Sequence, residues 1–176
     1  MKKQKGFSLI ELLIVVAIIL IIAAIAIPNL MRSKIAANET SAVGSVRTIN
    51  TAEVTYSSSW GTGFAVGLAN LGGAAPCTTA SAATACLIDP LLSTAPNTKS
   101  GYVFNSAGTL LVNGVNNGFE VNATPATYQT TGVRAFCSDH TGLIQFVANG
   151  AVAIGVAAGS CAGVPNALPA SGPIGN

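Results

Sequence analysis

Between Phe7 and Ile27 the chain is apolar at every position except Ser8 and Glu11, and this run restricts what the whole can be. As a helix it would be ~31 Å long at 1.5 Å per residue, about the thickness of a bilayer's hydrocarbon core. Its apolar residues are not confined to one face. The helix must therefore be buried all round, in lipid or among copies of itself. Lys2, Lys3 and Lys5 precede it, which puts that end in the cytoplasm and exports the domain on its far side. A secretory signal peptide has a shorter run that ends in a small-x-small site. Here the run reaches Pro28 and Asn29 without a clean site of that kind.

Neither a signal peptide nor a plain anchor explains Glu11. A carboxylate near a membrane costs several kcal/mol and is by default functional. No Lys or Arg lies between Phe7 and Ile27 to pair with it. The nearest cation would be a free α-amino group, created by a cut between Gly6 and Phe7 and positive near neutral pH. Shared between neighbouring subunits, such a pair would fix their axial register, because breaking it in low dielectric is costly.

The stretch Lys5-Gly6-Phe7-Ser8-Leu9-Ile10-Glu11-Leu12-Leu13 resembles the processing site of the type IV pilin superfamily: Gly, Phe, a Glu at the fifth position after the cut, then an apolar helix. Pro28 stands where these proteins commonly carry a proline. The resemblance is close over about residues 1–35. It implies cleavage after Gly6 by a cytoplasmic-side prepilin peptidase, N-methylation of Phe7, and neutralisation of the Phe7 amine by Glu11 during assembly.

The remainder supplies one modest domain. The chain has 176 residues, half of them hydrophobic, and only 8% are charged, against about 25% in an ordinary soluble domain. Without Lys2, Lys3 and Lys5, five basic residues face six acidic ones. No basic patch points to nucleic acid as a partner. Pro28 predicts a kink. Beyond it, Ile35, Ala42, Val46, Ile49, Ala52 and Tyr56 recur at helical spacing and mark a buried stripe, with Arg32, Lys34, Glu39, Arg47 and Glu53 as the charged positions. The pattern predicts one long helix from Phe7 to about Ser57, with 7–28 as its membrane half and 29–57 amphipathic. Gly44 is a weak point, a local kink or a close packing position.

Residues 58–100 read as a turn-rich connection with one short helix near Phe64–Leu71. Strand signals then fill 101–154: Gly101–Asn105, Thr109–Asn113, Asn117–Thr124, Gly132–Ser138 and Leu143–Ala148, with a turn at Asp139-His140-Thr141-Gly142. The tail, 155–176, reads as irregular. The expected fold is α+β: a long N-terminal helix packed on a small antiparallel sheet, an order similar to the pilin head.

Four cysteines allow three pairings, and free buried thiols are the alternative to any of them. Order along the chain favours Cys77–Cys86 and Cys137–Cys161; the second would staple the C-terminal segment to a strand, as in many pilins. Cys137, Asp139 and His140 do not make a zinc set, because one histidine and paired cysteines fall short of four ligands. Asp89, Glu120 and Asp139 are few carboxylates for calcium. Asp139 adjoins His140 in sequence and is poorly placed to orient it as a catalytic base. Gly72-Gly73 lacks the lysine of a phosphate loop. We therefore expect no cofactor, no metal and no enzyme.

The expected function is a structural prepilin. It is held in the inner membrane with a periplasmic head, polymerises with copies of itself, and is served by a prepilin peptidase and methyltransferase, an assembly platform and a motor ATPase. The product would be a cell-surface type IV pilus. A periplasmic pseudopilus of a type II secretion system is the alternative within the family. A monomeric membrane-anchored binding module is the alternative outside it.

Overall fold

The computed structural model describes residues 7–73, 76–152, 154–164 and 171–174. Residues 1–6, the expected leader with Gly6, lie outside them. The chain divides into two compact units, Met1–Lys34 and Ile35–Asn176.

Helix α1 spans Leu9–Trp60 and carries Pro28 inside it. Its start is capped: the Glu11 carboxylate accepts from the Ser8 backbone N–H at 2.9 Å. That is half of a Ser-x-x-Glu capping box, which relieves one of the donors a helix start leaves over. In the second unit the hydroxyls of Thr40, Thr48, Thr51 and Thr55 each donate to the carbonyl four residues back, at 2.8–3.1 Å, so these residues stay helical without competing for other partners. Nothing lies within 4 Å of where a Cβ on Gly44 would stand, so the position is open rather than closely packed. Gly44→Ala is expected to raise stability by about 0.5–1 kcal/mol, read as a shift in the chemical-denaturation midpoint at unchanged slope.

Ala42, Val46, Ile49, Ala52 and Tyr56 are at most 5% exposed and form the helix side of the main core. Their steps of three and four make one stripe. It packs against Tyr102, Phe104, Phe119, Val121, Phe136 and Ile144. These come from an antiparallel sheet in the order β1 (Thr98–Lys99), β2 (Tyr102–Val112), β3 (Val115–Pro125), β4 (Ala135–Asp139), β5 (Ile144–Val147) and β6 (Ser171–Pro173).

Several boundaries differ from the sequence reading. The segments Gly101–Asn105 and Thr109–Asn113 belong to one strand, β2, which pairs with β3 at one constant register from Tyr102↔Pro125 to Val112↔Val115, interrupted only at Leu110, where φ is positive (53°). Gly108, between those two segments, is a place of close approach. A Cβ there would stand 2.7 Å from the Ala65 carbonyl oxygen, and the Gly108 N–H donates to Val66 O at 3.2 Å. The hairpin turns on Asn113 and Gly114, both at positive φ (51° and 81°), the two-residue loop that matches strand twist. The connection 58–100 holds α2 at Leu68–Leu71, α3 at Pro90–Ser93 and the whole of β1, and α1 runs on to Trp60.

The tail is not merely irregular. Within it β6 pairs with β5, Gln145↔Pro173 to Val147↔Ser171. Ahead of that strand, Ile154, Cys161 and Val164 cover the sheet face turned away from α1, against Ala135, Cys137 and Val147. Small residues without periodicity conceal such a cover in sequence, yet it leaves β4 buried at all five positions. A disulfide, Cys137–Cys161, ties it down, and a second, Cys77–Cys86, closes a loop ahead of α3.

Candidate functional site

The first unit presents its chemistry openly. Large apolar side chains from Phe7 to Ile27 are 44–84% exposed, with Phe7 at 84%. Among the described residues α1 is the one helix long and apolar enough to cross a membrane. Glu11 stands in its first turn with one oxygen engaged by Ser8 N–H. The sequence reading takes Glu11 only as a charge partner and passes over Ser8, although the spacing Ser8-Leu9-Ile10-Glu11 is itself a capping signal. Glu11 therefore has two candidate roles, cap and counter-charge, and these are separable by substitution.

The other residues weighed for chemistry have structural duties in the second unit. Asp89 caps α3 by accepting from Leu91 N–H at 2.8 Å and pairs with Lys99 at 3.1 Å. The Leu91 N–H bond, with Lys99, holds its carboxyl below the ordinary range. Asp139 accepts from the Thr141 backbone N–H (2.9 Å) and hydroxyl (2.5 Å), closing the β4–β5 turn, and His140 is exposed in that turn. Glu120 lies opposite Asp139 across the sheet, and its two oxygens accept from Gly159 N–H (2.7 Å) and Cys161 N–H (3.1 Å). Burial raises its carboxyl, against the pull of those two bonds. Among the described residues no three of His, Cys, Asp and Glu come together as a metal-binding group.

Two further acids, read in sequence as charges on an amphipathic helix, lie inside it. Glu39 is 6% exposed and Glu53 fully buried. Glu39 Oε1 accepts from the Val133 and Arg134 N–H groups at 3.0 Å each, and Oε2 meets Arg134 Nε at 2.8 Å and Nη2 at 2.7 Å. Burial raises its carboxyl, but these bonds and the guanidinium charge outweigh it and leave it below the ordinary value. Glu53 accepts from Ala65 N–H (2.9 Å) and Ser106 Oγ (3.2 Å) and has no ion pair among the described residues. Burial dominates there and pushes it up to about 7. Each buried Glu of the second unit thus fastens a loop by its backbone N–H groups. A buried carboxylate needs such donors, and a loop needs such acceptors.

An exposed apolar helix with a capped acid at its start, continuing into an antiparallel-sheet head, defines a membrane-anchored, pilin-like subunit. The comparisons agree. Residues 1–27 match the family model described as the prokaryotic N-terminal methylation motif. The chain is 60% identical over 40 residues to the type IV wide pilus major component PilA4 of Thermus thermophilus, covering 23% of this chain and 30% of that protein. It is 56% identical over 52 residues to a fimbrial protein of Pseudomonas aeruginosa, covering 30% of this chain and 34% of that one. The aligned stretch spans about a third of the length of these curated relatives. No solved structure matches. The likeness lies in the N-terminal segment, which carries the methylation motif and is similar there to type IV pilins.

Proposed function

We propose that the chain is a prepilin, cut between Gly6 and Phe7, N-methylated on Phe7 and polymerised into a type IV pilus. The observation that carries this reading is the open apolar surface of Phe7–Ile27 with one carboxylate in its first turn. Lipid covers that surface while the subunit waits in the inner membrane. On extraction, identical helices replace lipid and restore the burial, at roughly 25 cal/mol per Å². Glu11 then enters an apolar bundle. It has an oxygen beyond the one engaged by Ser8, and the Phe7 amine of an adjoining copy supplies the opposite charge. Extraction takes work from a separate motor ATPase on an assembly platform, and a prepilin peptidase and methyltransferase make the new terminus. One relative is named as a type IV pilus component and the other as a fimbrial protein, which favours the pilus over a type II secretion pseudopilus. Deletion that removes surface filaments, rather than secretion alone, separates the two.

The decisive comparison is Glu11→Gln against Glu11→Ala. Glutamine retains a carbonyl acceptor for Ser8 N–H and removes the charge; alanine removes both. If the charge drives assembly, both variants lower the yield of sheared surface filament more than tenfold while the subunit still accumulates in the membrane. A glutamine variant that assembles like the unsubstituted chain would reduce Glu11 to a helix cap. Mass spectrometry of the filament subunit should show a chain beginning at methylated Phe7; an intact Met1 terminus overturns the reading.

A further inference from the structure

Charge is scarce in the second unit, and one of its cations is left over. Glu39, Glu53, Glu120 and Asp139 are buried, which makes Asp89 its one exposed carboxylate. Arg134 pairs with Glu39 and Lys99 with Asp89, whereas Arg47 is exposed and has no ion pair among the described residues.

Arg47 borders a cavity of about 280 Å³ shared with Glu39, Thr40, Val43, Arg134, Phe136 and Ile174. The Arg134 guanidinium is already ordered there. Glu39 holds its Nε and Nη2, and its centre lies 5.7 Å and 5.6 Å from the ring centroids of Phe136 and Phe146. Its Nη1 hydrogens have no partner among the described residues, so two more donors are available at little entropic cost. With two arginines and one glutamate the cavity carries a net positive charge, and Val43, Phe136 and Ile174 make the rest apolar. Its complement is a carboxylate next to an exposed aliphatic group.

The same chain offers that complement once. Asp89-Pro90-Leu91 is exposed along its length, Leu91 at 58%. Each Asp89 oxygen holds one hydrogen bond, to Leu91 N–H or to Lys99, and can accept another. The two features lie on opposite sides of the second unit. Asp89 is tied to β1, and Ser41 on that flank of α1 meets Ser100. The cavity adjoins β4 and the residue after β6, and β1 and β6 are the two edges of the sheet. A contact between unlike patches on opposite sides does not make a two-fold dimer; it repeats from copy to copy, as a ring where the rotation closes and as an open array where it does not.

We propose that Asp89-Pro90-Leu91 of one copy seats in the Arg47–Arg134 cavity of the next, with Asp89 on the guanidinium groups and Leu91 on the apolar wall. This rests on the self-assembly argued above and adds a contact between heads to the one between helices. The test is a full-length chain carrying Leu91→Cys and Thr40→Cys, assembled into filaments and oxidised. All four native cysteines are paired, so the two introduced thiols are the only ones. A ladder of covalent oligomers is expected, and neither single variant should give one beyond a dimer. Adding Arg47→Glu should cut the ladder at least tenfold, and adding Asp89→Lys to that should restore it. Filaments without a ladder, or a ladder indifferent to Arg47→Glu, overturn this contact and leave the N-terminal mechanism standing. Absence of filaments from the unsubstituted chain overturns the assembly reading, and this contact with it.

Discussion

Glu39→Ala is expected to cost about 3 kcal/mol of unfolding free energy, the larger share of which comes from the groups it strands. The Val133 and Arg134 N–H groups lose their acceptor, and the Arg134 guanidinium loses its carboxylate. Arg134→Ala should cost less, because Glu39 keeps both backbone donors and the side chain removed is 45% exposed. Urea unfolding of the two variants and the double variant checks the asymmetry. A cost for Glu39→Ala below about 1 kcal/mol, the size of one ordinary hydrogen bond, would refute the account. Linkage gives the pH direction. The carboxyl of Glu39 lies below its ordinary value in the folded state. Its contribution is therefore present above the unfolded value near 4.5 and is lost as pH falls through the depressed one.

Glu53 should do the opposite from the same helix. Its folded value is raised to about 7 from 4.5. Below 4.5 both states hold the proton and stability is complete. Between 4.5 and 7 the unfolded chain ionises while the native chain keeps the proton, so stability falls with rising pH. Above about 7 the loss levels off at about 3 kcal/mol, from about 1.36 kcal/mol per unit of displacement. Glu53→Gln removes this slope. It should match the unsubstituted chain at about pH 4 and exceed it at about pH 8, as measured by denaturation at each pH. A parallel pH profile for the two chains would show that Glu53 ionises freely in the folded state. The contrast between the acids lies in the cation: Arg134 stands beside Glu39, and among the described residues Glu53 has no such pair.

These acids also mark where sequence reading runs out. The apolar run to Ile27 and the stripe from Ala42 to Tyr56 are legible because each is a local pattern with one period. Glu39 and Glu53 continue that stripe at helical spacing, but a hydrophobic pattern assigns acids to solvent. What draws Glu39 inward is Arg134, which lies 95 positions along the chain. The hairpin is half legible: Asn113-Gly114 is a strong turn signal, but reading Gly101–Asn105 and Thr109–Asn113 as separate strands hides the length of β2. The cover formed by Ile154, Cys161 and Val164 has no periodicity to read, and it depends on Glu120 and Asn122 accepting from and donating to its backbone. At the N-terminus, Phe7 and Glu11 are legible through a short motif, and the same motif holds the Ser-x-x-Glu spacing of the cap, which attention to the charge of Glu11 passes over.

The sheet ends in its shortest strands, two residues in β1 and three in β6. Past β1, the next stretch of open edge on β2 is already engaged, by Asn97 O at Phe104 and by Val66 O at Gly108. Long unpaired margins invite foreign backbone to zip on and propagate as cross-β aggregate. With outer strands this short and that stretch of β2 occupied, the domain gives a neighbour's backbone little margin to zip onto, a property that would let many copies pack closely and each stay folded.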